Sequence, residues 1–232
     1  SNPMIVAGGG SIYSGAENVI KDFSEKHGIP VTETFAGKGT LHYSNPFNLG
    51  GIGATGTKGA NEIAKISDLV IGIGTRYGDF TTASKSVWQN KNVDFININV
   101  AEFDAFKNSA SPLQGDARET LKIISQKLQN HSTDEGYIEK IKVLNKEWDD
   151  IVSKIYYTED PKRPVQSELL GAVNEFMDEN DVVLCAAGSA PGDLHKLWRT
   201  KNSKGFHLEY GNSCMGYEVS GGLGVKMADP SR

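Results

Sequence analysis

The chain has 232 residues, 38% of them hydrophobic, and a net charge of −5, which is enough apolar material for a packed core in one or two domains. Lys and Arg form no long runs, so a nucleic-acid surface built on clustered cations is excluded. No apolar run reaches the roughly 18 residues that span a membrane, and no signal peptide is visible.

The elements follow in chain order. Met4–Ala7 reads as a short buried strand running into Gly8-Gly9-Gly10-Ser11, and a helix is expected from Ser14 to Lys26 with Gly28 as its C-cap. Pro30–Phe35 reads as a second strand, ending in Gly37-Lys38-Gly39, and the stretch from there to about Gly56 as a long irregular segment. Such a segment is usually functional or interfacial. A helix over Lys58–Ile66 follows, then two continuous apolar strands, Asp68–Gly74 and Val93–Asn99, the kind found in a parallel sheet covered on both faces. Asp116 caps a helix that runs to Leu128. This alternation predicts an open, mainly parallel α/β sheet with helices on both faces over residues 1–130.

Residues 131–164 read as a linker and one long helix, Tyr137–Tyr157, with Ile138, Ile141, Leu144, Trp148, Ile151 and Ile155 on an apolar stripe, stopped by Pro161–Pro164. Over residues 165–232 the pattern restarts: helix Val165–Met177, strand Asp181–Ala187, helix Gly192–Trp198, strand Phe206–Glu209, and a helix containing Gly221, Gly222 and Gly224. Glycines inside a helix cost about 1 kcal/mol each, so something is expected to approach that backbone closely. With two strands, this unit reads as an incomplete second domain and the chain as a fragment.

Several motifs bear on chemistry. Gly8-Gly9-Gly10 follows a strand and opens a helix, but the dinucleotide fingerprint needs a glycine where Tyr13 stands. Glu33 lies where an acid could hold a ribose; otherwise the glycines serve a compact turn. Gly37-Lys38-Gly39-Thr40 lacks the spacing of a phosphate loop. Ser189 directly follows Gly188, so the nucleophile elbow is absent, and Asp193 and His195 cannot easily form a triad with it. Gly188, Ser189 and Ala190, just ahead of a helix that opens at Pro191, instead expose backbone N–H groups suited to a phosphate or diphosphate. Arg76-Tyr77-Gly78-Asp79 faces the sheet edge where ligands of open α/β folds bind. Cys185 reads as core and Cys214 as a loop residue near a ligand; with no Cys/His cluster, a zinc site is not expected. Two cysteines fit a reducing compartment, the cytoplasm.

Together, Ala7–Gly10, Phe35-Ala-Gly-Lys-Gly39, Gly51-Ile-Gly-Ala-Thr-Gly56, Asp68–Arg76 and Phe95–Asn99 resemble the central domain of thiamine-diphosphate enzymes of the acetolactate-synthase type. Val183–Ser189 and Met215-Gly-Tyr through Pro230 resemble the first half of that family's diphosphate-binding domain. Thr75–Ser84, Ala101–Asn108 and His207–Gly211 are similar to a branch that hydrolyses a carbon–carbon bond in a cyclic 1,2-dione of myo-inositol catabolism. The resemblance implies thiamine diphosphate and Mg²⁺ as cofactors of a full-length homo-oligomer. It places Gly188, Ser189 and Ala190 at the diphosphate, Met215 under the aminopyrimidine ring, and Ser213 and Cys214 beside it. The family's Gly-Asp-Gly metal motif and activating Glu are not found here, so no catalytic residue and no metal ligand is assigned. The fragment itself is expected to be inactive and to bind the cofactor weakly. Other readings are a non-catalytic nucleotide-binding module, a different thiamine-diphosphate carboligase or decarboxylase, and a structural spacer.

Overall fold

The computed structural model describes residues 1–158, 163–209 and 211–232. Six parallel strands form one sheet: β1 (Pro3–Ala7), β2 (Val31–Glu33), β3 (Asn48–Gly51), β4 (Leu69–Ile73), β5 (Asp94–Asn99) and β6 (Ser111–Gln114). Their order across the sheet is β3-β2-β1-β4-β5-β6, so the strand order reverses between β1 and β4. That point is the topological switch at which open α/β sheets bind ligands.

Residue parity explains the two covered faces. Met4, Val6 and Val70 point into one core, shared with Ala60 and Ile63 of α3 (Lys58–Ile66) and with Tyr137 and Ile141 of α7 (Glu135–Tyr156). Ile5, Ala7, Ile71 and Ile73 point into the other, against Ile20 and Phe23 of α2 (Glu17–His27) and Ala117 and Leu121 of α6 (Ala117–Leu128). Alternate residues of a strand face opposite sides, so a run that is apolar throughout is required here. Each fully buried Ile or Met contributes about 1.5–3 kcal/mol relative to exposure.

Four readings of the chain are corrected. The helix expected from Ser14 is two helices, α1 (Gly9–Tyr13) and α2, separated at Gly15 with φ +62. The segment between Gly39 and Gly56 is not irregular throughout, because it contains β3. β6 had no counterpart in the sequence reading; it is an edge strand that accommodates Pro112, whose missing N–H a central strand could not tolerate. On the long helix, Ile151 is 38% exposed and Val152 is the buried residue. Of the stop read at Pro161–Pro164, Pro161 and Lys162 lie outside the described residues.

Thr57 joins α3 to the sheet edge. Its Oγ1 accepts from Ala60 N at 3.1 Å, the N-cap bond, and donates to Leu49 O at 2.6 Å. Thr57→Ala is expected to cost about 1–2 kcal/mol in denaturant unfolding, since it removes the cap and leaves a buried carbonyl unpaired.

The remaining elements are α4 (Asp79–Thr82), α5 (Glu102–Ala105), α8 (Gln166–Phe176), β7 (Val183–Cys185), α9 (Ala190–Leu197), β8 (Phe206–Leu208) and α10 (Tyr217–Ala228). β7 and β8 pair in parallel as a second, smaller sheet, with Val183 opposite Phe206. α7 braces the two sheets. Its Tyr137 hydroxyl donates to Pro3 O at 2.9 Å, whereas Trp148 Nε1 and the Tyr156 hydroxyl donate to Lys196 O (3.1 Å) and Leu197 O (2.6 Å).

Candidate cofactor edge and the cleft beside it

His195, on α9, is the principal link between the two sheets. Its ring stacks on Phe35 at 4.2 Å between centroids. It sits so close to Gly51 that a Cβ there would lie 2.6 Å from the imidazole. Nε2 lies 3.0 Å from Glu33 O and Nδ1 3.0 Å from Thr55 Oγ1. A carbonyl only accepts, so Nε2 carries the proton and Nδ1 accepts from Thr55. Burial, with Lys38 nearby, pushes the His195 pKa down to about 3. Both nitrogens are therefore occupied by the other sheet, and neither bonds Ser189, so no hydrolytic triad forms.

Glu33 and Lys38 are buried in the same region, at 0% and 3% exposure. Burial raises the Glu33 pKa and lowers that of Lys38, each opposed by the charge of the other. Glu33 Oε1 accepts from Gly39 N (3.2 Å) and Leu41 N (3.1 Å). This carboxylate is bound to its own loop and cannot reach a ribose, and Lys38 cannot meet a surface phosphate.

A cleft of about 590 Å³ opens at the carboxyl edge of the large sheet, lined by Gly9, Gly10, Phe35, Arg76, Tyr77 and Asp79 among others. This is where Arg76–Asp79 was expected. The glycines serve compactness: a Cβ on Gly8 would lie 2.3 Å from Gly74 O, and one on Gly10 2.7 Å from Gly74 Cα. Tyr13, which breaks the fingerprint, is 87% exposed. Calorimetric titration with NAD, ADP and FAD is expected to show no tight binding through Gly8–Ser11. A dissociation constant near 1 μM, about −8 kcal/mol, would install the nucleotide-module reading instead.

Five of the six residues read as cofactor ligands lie in two loops at the carboxyl ends of β7 and β8, and the sixth, Ala190, opens α9. Gly188 (φ +84) and Ser189 are exposed and Ala190 is half-buried. Among the described residues, the N–H groups of these three meet no hydrogen-bond partner. Ser189 is the N-cap of α9, Ala190 is its first residue, and Pro191 stands in its first turn. Ser213 (φ +52), Cys214 and Met215 are exposed, Met215 at 89%. Tyr210 of the His207–Gly211 motif lies outside the described residues.

Two acids arrange these loops, and neither was singled out from the sequence. Glu209 accepts from the N–H groups of Gly211 (2.9 Å), Asn212 (3.0 Å) and Cys214 (2.8 Å). Glu218 accepts from the N–H of Gly216 (3.1 Å), the N-cap of its own helix, and from Ala186 N (3.0 Å) just past the end of β7. Of the glycines inside α10, Gly221 leaves no room for a side chain, since a Cβ there would lie 2.8 Å from Leu184 Cδ2; a Cβ on Gly222 or Gly224 would meet nothing within 4 Å. Cys185 is buried, and burial raises its pKa.

Residues 1–124 match the family model described as the central domain of thiamine pyrophosphate enzymes. The chain belongs to the thiamine pyrophosphate enzyme family. It is also similar to proteins named 3D-(3,5/4)-trihydroxycyclohexane-1,2-dione hydrolase. The one from Clostridium tetani is 42% identical over 99% of this chain and 39% of its own length. Those from Bacillus thuringiensis and Clostridium perfringens strain 13 are each 41% identical over 99% of this chain, and over 39% and 40% of their own lengths. The chain thus spans about two fifths of the length of the curated relatives it matches. Membership implies use of thiamine diphosphate at the level of the family. Among the described residues no group of three or more His, Cys, Asp or Glu is placed to hold a metal ion, and no helix is long and apolar enough to cross a membrane.

Proposed function

We propose that the chain is the central and cofactor-edge portion of a thiamine-diphosphate-dependent hydrolase that opens the ring of a cyclic 1,2-dione. The observation that carries this reading is the 42% identity to a trihydroxycyclohexane-1,2-dione hydrolase, which extends over 99% of the chain and so includes the two loops at the ends of β7 and β8.

The donor set fits a diphosphate. The unpartnered N–H groups of Gly188, Ser189 and Ala190 stand together at the amino end of α9, where the helix dipole favours an anion. Gly188 at φ +84 turns the backbone without the strain an L side chain would impose. Met215 offers a flexible, polarizable side chain of the kind that packs against a ring face, with Ser213 and Cys214 beside it. When bound, the cofactor supplies the electron sink for carbon–carbon cleavage. These residues bind and orient it. The described residues do not fit Mg²⁺ coordination, and no catalytic acid or base is assigned among them. The chain alone is therefore expected to be inactive, and the complete protein to work as a homo-oligomer.

The test is hydrolysis of the ring dione, dependent on thiamine diphosphate, by the longer protein that contains this chain.

A further inference from the structure

We infer that Glu209 and Glu218 are positioning residues that direct the diphosphate onto the β7–α9 turn by occupying five other backbone N–H groups at the same sheet edge. This rests on the functional reading above. The N–H groups of Gly211, Asn212 and Cys214 are held by Glu209, and those of Gly216 and Ala186 by Glu218. Those of Gly188, Ser189 and Ala190 are left open among the described residues. An incoming anion goes where donors are unspent, and it avoids carboxylates whose charge is not already compensated.

Here both carboxylates are tied to backbone donors. The Cys214 N–H, followed by those of Asn212 and Gly211, holds the Glu209 carboxyl below the usual carboxylate range. The N–H of Glu218 itself, with those of Ala186 and Gly216, does the same for Glu218. Both acids are thus charged at neutral pH and tied to donors. The bond from Ala186 N to Glu218 crosses between elements. It fixes the end of β7, from which Gly188–Ala190 project, against the start of α10, which Met215 precedes. One side chain therefore sets the spacing between the proposed diphosphate donors and the proposed ring support.

Two measurements on Glu218→Gln and Glu209→Gln test this. In the 232-residue chain, amide hydrogen exchange is expected to accelerate at Ala186 and Gly216 for Glu218→Gln, and at Gly211, Asn212 and Cys214 for Glu209→Gln. In the longer protein, the half-saturating thiamine diphosphate concentration is expected to rise on the order of tenfold, with kcat at saturating cofactor changed about twofold or less, because lost preorganisation weakens binding. A merely structural role would lower Tm and leave the half-saturating concentration unmoved. Unchanged exchange, or accelerated exchange with an unmoved saturation curve, overturns the inference. Should Glu218→Gln fail to fold, Glu218→Asp keeps the charge but withdraws the carboxylate from Ala186, and it is read in the same way. A wild-type longer protein with no affinity for thiamine diphosphate would instead overturn the functional reading, a separate and recognisable outcome.

Discussion

Replacing His195 by Ala is expected to lower the unfolding free energy by about 3–4 kcal/mol, the range for deleting a large buried ring that also carries hydrogen bonds. The imidazole is 1% exposed, stacks on Phe35, and bonds Thr55 and the Glu33 carbonyl. Its loss leaves a void above Gly51 and takes away the acceptor of the Thr55 hydroxyl, while the Glu33 carbonyl keeps its bond from Ile52 N at 3.0 Å. The same residue imposes a pH dependence. In the folded chain its pKa is depressed to about 3, from 6.5 when unfolded. Between these values the unfolded state binds the extra proton. The stability contributed by a neutral His195 is therefore fully present above pH 6.5 and is lost as pH falls toward 3. The slope is about 1.4 kcal/mol per pH unit at most. Urea denaturation of wild type and His195→Gln from pH 7.5 to pH 4 measures it. The variant is expected to be less stable at pH 7.5, with the gap closing on acidification. A gap that stays constant or widens as pH falls would show that His195 is not buried in its neutral form.

How much of this could be read from the residues depends on what holds each part. β1, β4 and β5 are legible because both faces of each strand are covered, so their apolar runs are unbroken. β3, Asn48-Leu-Gly-Gly51, and β6, Ser111-Pro-Leu-Gln114, are edge strands. Their conformation comes from a neighbour on one side, and local composition carries little sign of it. Gly15 could have been read as the break between α1 and α2, because a glycine so close to a helix start admits a positive φ. The sites held by long-range contacts were the least legible. His195 looks like a hydrolase residue beside Asp193 and Ser189, but its partners Glu33, Phe35, Gly51 and Thr55 lie at least 140 residues away in sequence. Glu33 looks like a ribose acid until its bonds to the Gly39 and Leu41 N–H groups are seen. Glu209 and Glu218 stand among loop glycines, where an acid ordinarily means a solvated turn; only the backbone path shows them collecting donors. Gly188, Ser189 and Met215 are read as cofactor ligands through the family resemblance, and that role stands as a proposal.

The ring-dione assay has the largest expected effect, because removal of an electron-sink cofactor leaves the carbon–carbon cleavage without its chemistry. The longer protein containing this chain is stripped of thiamine diphosphate and assayed with trihydroxycyclohexane-1,2-dione, and then again after readdition of thiamine diphosphate and Mg²⁺. The expected result is loss of turnover by at least about a thousandfold, a barrier increase of about 4 kcal/mol, with full recovery on readdition. Hydrolysis that persists without the cofactor would contradict the proposed function, as would an inert dione in a protein that decarboxylates a 2-oxo acid under the same conditions.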